Sequence, residues 1–330
     1  MLKIGVLGVG HLGKIHVRCL QMLSDKYQLV GFFDPNDEQA KQVADEFSLQ
    51  RFTDLDALLE EVEVVDIVTP TTTHYTLAKM ALERGKHVFI EKPVTESIEE
   101  AEALLRLINA NDLKVQVGHV ERFNPALLSL GDLPIQPMFV EGHRLSNFNP
   151  RGTDVSVVLD LMIHDLDLLL NLVQSEVVEV SASGVAVVSK TPDICNAHIE
   201  FANGCVANLT ASRISLKQMR KIRLFQPDAY ISLDFLEKEA QIVRLSDEPH
   251  PEVAGKMSFE LPVADGARYM QIENPEIQPV NAIKMELSTL ADSIVQNSRP
   301  RVSLEDGYRA LKLAHQISEK MEQRLRQYAE

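Results

Sequence analysis

Two textures alternate over the first third of the sequence. Short apolar runs rich in Val and Ile fall at 3–7, 28–33, 64–68, 87–90 and 114–117, and segments of helical period lie between them at 12–23, 37–47, 55–61, 74–84 and 97–110. Strands this short and this uniformly apolar, alternating with helices, predict a parallel sheet covered on both faces. Right-handed crossovers then leave chiefly the doubly wound topologies. After about residue 120 the texture changes. One long helical pattern, 156–173, is followed by strand-like stretches at 177–188, 196–202, 205–213, 219–225, 229–234, 240–244 and 257–263. Turn residues separate them, as in Asn203-Gly204 and Pro227-Asp228; Asn-Gly between β-rich runs predicts a two-residue hairpin. This half reads as a mostly antiparallel sheet. Pro and Gly are frequent over 247–279 and predict an irregular stretch there. Two helices, 281–297 and 303–327, close the sequence, the second opening on Ser303 with Asp306 at the third helical position, a looser relative of the capping box. With 330 residues, two domains are expected, divided at 120/121. The helix at 303–327 is free to pack back on the first.

Composition narrows the class. At 45% apolar and 25% charged residues, collagen, coiled coil and disordered chains are excluded. No apolar run approaches the length of a transmembrane helix. The start, Met1-Leu2-Lys3-Ile4-Gly5, runs straight into a strand pattern without the features of a signal peptide. The formal charge of −15 repels phosphate backbones and anionic membranes, and no basic patch offsets it, so neither nucleic acid nor membrane is an expected partner. Cys19, Cys195 and Cys205 are odd in number and unclustered, which suggests neither a disulfide framework nor a zinc site. A reduced, cytoplasmic compartment fits.

Gly8-Val9-Gly10-His11-Leu12-Gly13 is a G-x-G-x-x-G run that follows a strand pattern and opens a helix. In that context Gly8 permits the tight turn, Gly10 lets the backbone approach a pyrophosphate, and Gly13 lets helix and sheet pack closely. The helix N-terminus adds unpaired N–H groups and partial positive charge. The second strand ends in Asp34, spaced to accept hydrogen bonds from an adenosine ribose and to repel a 2′-phosphate. NAD is therefore expected over NADP. The plain alternative is a glycine turn with a capping Asp. Further polar clusters follow the later strands: Thr69-Pro70-Thr71 with His74, Glu91-Lys92-Pro93, and Gly118-His119 with Glu121-Arg122. Ligands of open α/β sheets bind at such strand ends. Lys92, if buried there, can hydrogen-bond a substrate hydroxyl with a lowered pKa; otherwise it is a surface Lys beside Glu91. His74 reads more simply as a helix N-terminal residue.

In the second half, Asp160 and His164 are spaced i, i+4 in the one long helical pattern, so both project from one face. His is suited to proton transfer near neutral pH, and a carboxylate one turn away can orient it. A helix-surface ion pair remains the other reading. Two such residues could also ligate a metal, but no third ligand stands out, and no metal is expected.

Taken together and in order, Gly8–Gly13, Thr69-Pro70-Thr71 with His74, Glu91-Lys92-Pro93, Arg122-Phe123-Asn124-Pro125 and Asp160-x-x-x-His164 resemble the glucose–fructose oxidoreductase / inositol dehydrogenase / MocA (Gfo/Idh/MocA) family over essentially the whole sequence. The resemblance implies an α/β Rossmann domain followed by an α+β domain with an open-faced, mostly antiparallel sheet, and homodimers or homotetramers packed through that sheet. It implies NAD(P)-dependent oxidation at a ring carbon of a sugar or polyol. Lys92 would orient the nicotinamide and the substrate hydroxyl, Asp160 would bind and polarise substrate, and His164 would be the general acid/base. Gly8, Gly10, His11, Leu12, Gly13, Asp34, Pro70, Thr71, His74, Glu91 and Arg122 would hold or line the cofactor, and Arg122 would also reach substrate. The 118–125 and 161–167 runs most resemble the UDP-N-acetylhexosamine 3-dehydrogenase branch. A diphosphate in the substrate would need basic partners, for which Arg144, Arg151, Arg213 and Lys217 are candidates, with His143 beside Arg144. Departures from the commoner family pattern are Thr71, often Asn, the His119 and Glu121 pair, and the absence of a glycine pair before Asp160. Two other activities share this architecture: reduction of a non-sugar substrate, as in biliverdin reductase and dihydrodiol dehydrogenase, and non-catalytic NAD-binding regulation.

Overall fold

The computed structural model describes residues 1–149, 155–249, 256–263 and 266–329. Strands β1 (Leu2–Leu7), β2 (Tyr27–Phe33), β3 (Arg51–Phe52), β4 (Val64–Ile67), β5 (His87–Glu91) and β6 (Val115–Gly118) form one parallel sheet in the order β3-β2-β1-β4-β5-β6. Helices α1 (His11–Gln21), α2 (Asp37–Phe47), α3 (Leu55–Glu61), α4 (His74–Glu83) and α5 (Ile98–Asn111) alternate with these strands. All four residues of β4 are buried, which is why the strands read as continuous apolar runs rather than alternating ones. The two-residue edge strand β3 has no such run and was not expected. Side chains fix the helix starts: Asn36 accepts from the Gln39 N–H to cap α2, and Ser97 with Glu100 forms a reciprocal capping box on α5. The strand order reverses beside β1, where Leu7 and Ile67 stand in register at the carboxyl ends of β1 and β4. That reversal is where such sheets open a ligand crevice.

The second sheet has nine strands: β7 (Phe139–Leu145), β8 (Val177–Val185), β9 (Ile194–Phe201), β10 (Val206–Ser212), β11 (Met219–Gln226), β12 (Ala229–Asp234), β13 (Glu239–Ser246), β14 (Met257–Val263) and β15 (Gly266–Glu273). Their order is β14-β15-β13-β12-β11-β7-β10-β9-β8, and every pairing is antiparallel except β7 with β10. Two strands were not expected. β7 carries Gly142, His143 and Arg144 in mid-strand, which masks its alternation. β15 falls inside the Pro- and Gly-rich stretch read as irregular, where pairing with β13 and β14 overrides local composition. The hairpin at Asn203-Gly204 also differs. Phe201 N–H donates to the Cys205 carbonyl, leaving a three-residue loop with Gly204 at φ +85°.

The remaining helices are α6 (Pro125–Leu128), α7 (Ile163–Val173), α8 (Ala282–Val295) and α9 (Leu304–Ala329). The expected 156–173 helix is not continuous: Val158–Met162 forms a π-helical turn before α7. The chain divides into one unit of Met1–Phe123 with Asn281–Leu311 and another of Asn124–Val280 with Lys312–Glu330. The expected division at 120/121 therefore misses a return of the chain. Leu287, Leu290 and Ala291 of α8 join Val17 and Leu20 of α1 and Ile4 of β1 in one buried cluster. Each fully buried Leu contributes roughly 1.5–3 kcal/mol, and the Tyr27 hydroxyl adds a hydrogen bond to the Leu287 carbonyl at 2.8 Å. Ser303 and Asp306 cap α9 reciprocally, as their spacing implied.

Candidate cofactor and catalytic site

Within the first unit, a cavity of about 840 Å³ opens at the sheet's reversal point. The glycine-rich turn forms one wall, through Gly8, Gly10, His11 and Leu12; Phe33, Asp34 and Gln39 form another; Thr69, Pro70, Glu91 and Lys92 lie along the ends of β4 and β5. The three glycines do different things. Gly8 has φ +85°, a left-handed conformation that an L side chain resists, and a Cβ there would meet Thr69 Cγ2 at 2.8 Å. A Cβ on Gly13 would lie 2.1 Å from the Gly8 carbonyl oxygen. At Gly10 the nearest atom to such a Cβ is Gln39 Nε2 at 3.9 Å, so the space over the turn is open toward the cavity. That free volume, facing backbone N–H groups at the start of α1, fits a pyrophosphate.

Asp34 is buried at the end of β2. Its Oδ2 accepts from the Val9 N–H at 2.9 Å and from Gln39 Nε2 at 3.2 Å, and its Oδ1 accepts from the Asn36 N–H at 2.8 Å. A carboxylate offers about four acceptor positions, so capacity remains for a ribose hydroxyl. Gln39 was not singled out in the sequence; its position one turn into α2 gave no cue. Thr71 and His74 are not among the residues that line this cavity. The 3₁₀ turn Thr71–Thr73 presents Thr72 and Thr73 instead. The His74 ring is buried, with Nδ1 2.9 Å from the Pro93 carbonyl and Nε2 2.9 Å from the Thr69 carbonyl. It ties the ends of β4 and β5 together, and burial pushes its pKa down. Lys92 is half-buried, and its backbone N–H donates to Glu91 Oε2 at 3.1 Å.

Behind Glu91 lies a buried polar cluster that the sequence reading missed. His16 Nδ1 is 3.0 Å from Asp66 Oδ2, and Nε2 is 3.3 Å from Glu91 Oε1. Burial opposes a charge on this ring, but Asp66 and Glu91 outweigh it and hold the pKa well above its ordinary value. Donor atoms of His16, Glu91 and Glu286 lie within 4.8 Å of one another. Burial, reinforced by Glu91, pushes the Glu286 carboxyl well up. The available signal was Asp66, a lone acid in the apolar run Val64–Ile67.

Within the second unit, Asp160 lies in the π-helical turn and His164 in the first turn of α7; both are half-buried. Such π turns recur at functional sites. Arg144, expected near a substrate phosphate, is buried instead. Its Nε donates to Asp165 Oδ2 at 3.0 Å and its Nη2 to Asp165 Oδ1 at 2.8 Å, a bidentate pair that ties β7 to the residue after His164. Arg213 is also buried and donates to the Val155 carbonyl at 2.6 Å. His143 is half-buried and Lys217 exposed. Arg151 lies outside the described residues. In the first unit, Arg122 is buried in the 3₁₀ turn Val120–Phe123, away from the cavity wall. It stands close enough to Arg301 to add to the burial that lowers that guanidinium's pKa.

A doubly wound sheet with a glycine cradle, an acidic ribose acceptor and a lysine at the strand ends defines a dinucleotide-binding oxidoreductase domain, here joined to an open β-sheet unit. The chain belongs to the Gfo/Idh/MocA oxidoreductases: the family's model for the oxidoreductase, NAD-binding Rossmann fold matches residues 2–119, and its model for the C-terminal domain matches 137–228. It is 42% identical over 255 residues to UDP-N-acetylglucosamine 3-dehydrogenase of Acidithiobacillus ferrooxidans, covering 77% of this chain and 80% of that one. It is 31% identical to scyllo-inositol 2-dehydrogenase (NAD(+)) of Bacillus subtilis, covering 64% and 68%. A solved structure of the Acidithiobacillus enzyme superposes with a TM-score of 0.87 at 36% identity, covering 97% of this chain and 98% of that one. This protein is thus an NAD-binding oxidoreductase of CH–OH groups, and no helix among its described residues is long and apolar enough to cross a membrane.

Proposed function

We propose that the substrate is a nucleotide sugar of the UDP-N-acetylglucosamine type, oxidised at its 3-hydroxyl. The observation that carries this reading is the 42% identity, over 77% of the chain, to a relative of that activity. Bound NAD⁺ would supply the hydride acceptor. His164 takes the hydroxyl proton as the C–H bond breaks, and Asp160, one turn earlier, orients the imidazole and polarises the substrate. Lys92 donates a hydrogen bond to the reacting oxygen, and Glu91 meets the nicotinamide ribose. Arg122 keeps a supporting place beside Arg301. Proton transfer of this kind contributes roughly 10²–10⁴ in rate.

NADH absorbance with UDP-N-acetylglucosamine, scyllo-inositol and myo-inositol as separate substrates tests the assignment. Turnover of the nucleotide sugar is expected. Oxidation of an inositol without the nucleotide sugar would reassign the substrate, and tight NAD binding with no turnover of any would favour a regulatory protein. His164→Asn is expected to lower turnover at least about a hundredfold while leaving NAD affinity intact; unchanged turnover removes His164 from the role. Association into a homodimer or homotetramer through the second sheet is part of the same proposal. Phe139 meets Phe225 edge-on and Phe225 meets Tyr230 at a tilt there, at centroid separations of 5.8 and 5.1 Å, with both Phe rings exposed. Exposed Met257, Phe259, Leu261 and Val263 line the edge strand β14. Light scattering would return a multiple of the 36.9 kDa chain mass.

A further inference from the structure

We propose that His16 is a positioning residue for the dehydrogenase reaction, holding the Glu91 carboxylate against the Lys92 backbone at the wall of the cofactor cavity. This rests on the roles given above to Glu91 and Lys92. The ring sits on the inner face of α1, fully buried, with Phe89 edge-on at 5.5 Å. The charged or titratable groups facing it are Asp66 from β4, Glu91 from β5, Glu286 from α8 and Cys19 from its own helix. Nδ1 is hydrogen-bonded to Asp66, while Nε2 lies 3.3 Å from Glu91 Oε1 without hydrogen-bond alignment, so the ring meets Glu91 through charge, as an imidazolium beside a carboxylate.

Glu91 is pinned from three sides. His16 approaches Oε1, the Lys92 N–H donates to Oε2 at 3.1 Å, and the neighbouring strand crowds the group from β6. A Cβ on Gly118 would stand 2.7 Å from Glu91 Oε1, so only glycine leaves room for the carboxylate in its present place. Glu286 completes the cluster. Both its carboxylate oxygens are buried without a hydrogen-bond partner among the described residues, while its backbone carbonyl accepts from the Gln116 side chain. Three carboxylates around one imidazolium would leave two uncompensated buried charges; a proton on Glu286 removes one of them, at a site where charge is costly. Glu286 then acts as a neutral wall behind His16, and Asp66 as the anchor that sets the ring's orientation.

The two amides closest in shape to His separate the contacts. In His16→Asn the amide nitrogen can replace Nδ1 and keep Asp66 but cannot reach Glu91; in His16→Gln it can replace Nε2 and keep Glu91. With UDP-N-acetylglucosamine as substrate, His16→Asn should lower kcat about tenfold or more with NAD affinity changed less than about threefold, and His16→Gln should recover much of the loss. Gly118→Ala should reproduce the His16→Asn loss, and Glu286→Gln should leave kcat and Tm as they were. Unchanged kcat in His16→Asn overturns the proposal, as does a fall in kcat, NAD affinity and Tm together in both His16 variants, which marks a structural role only. If the variants do not fold, or if the unmutated protein turns over no sugar so that the substrate assignment itself fails, ¹⁵N NMR of the unmutated protein decides. Both His16 nitrogens protonated at neutral pH supports the clamp, and a neutral ring overturns it. Stoichiometric metal in the purified protein also overturns it, because a cation would claim the Nε2 lone pair.

Discussion

Asp34 joins two tasks in one carboxylate. It holds the glycine-rich turn through the Val9 N–H and leaves acceptor capacity toward the cavity. Asp34→Ala is expected to weaken NAD about 10- to 100-fold, the loss of one or two charge-assisted hydrogen bonds. It should also narrow the preference for NAD over NADP, since a 2′-phosphate would no longer meet a negative charge; paired fluorescence titrations with the two cofactors measure both effects. In the second unit, the buried Asp193 accepts through Oδ2 from the N–H groups of Val187, Val188 and Ser189 at 2.7–2.9 Å. Burial works against its charge, but these backbone donors hold its pKa well below the ordinary carboxylate value. A depressed folded-state pKa adds stability that is present above the unfolded value, near 3.9, and is lost as pH falls below it. Asp193→Asn should therefore cost roughly 1–3 kcal/mol at pH 7 in urea unfolding, and the gap to the unmutated protein should shrink toward pH 3.

Elements carry the second level of the design. The π-helical turn Val158–Met162 interrupts what the apolar pattern reads as one helix, and it does so at Asp160. Immediately after His164, the Arg144–Asp165 pair locks the first turn of α7 to β7. Both partners are almost fully buried, with side chains 4% exposed, so removing one strands a charge away from water. Arg144→Ala should cost about 3–5 kcal/mol in denaturant unfolding. Arg144→Met combined with Asp165→Leu should recover much of that stability yet not the full turnover, because packing would be restored without the geometry that orients His164. Wild-type turnover in the stable double variant would show that the pair serves stability alone.

For the whole molecule, cofactor binding and folding are linked by mass action. NAD at a hundred times its Kd should stabilise the native state by about 2.7 kcal/mol. The unfolding temperature should rise with NAD concentration, and less so with NADP. Asp34→Ala should shrink the difference between the two cofactors, and calorimetry reads all three effects. The formal charge of −15 sets a net negative field, against which the proposed nucleotide substrate would need local cations. Of the basic candidates for a substrate phosphate, Arg144 and Arg213 are buried against protein groups, and Lys217 is exposed.

Periodicity in the sequence was enough to establish the doubly wound sheet, since strands buried on both faces must be apolar at every position and helices between them must show a 3.6-residue period. The spacing Gly8–Gly13 to Asp34 likewise announced the dinucleotide cradle, because the geometry of one strand, one turn and one helix is local. What the sequence could not settle depends on partners far along the chain. Strands β7 and β15 exist because neighbouring strands pair with them, and α8 belongs to the first unit because its apolar face completes a core begun some 260 residues earlier. The same holds for Arg144, which tertiary packing gives to Asp165. It holds again for His16, Asp66, Glu91 and Glu286, four residues spread over the chain whose charges acquire meaning only once folding excludes water from among them.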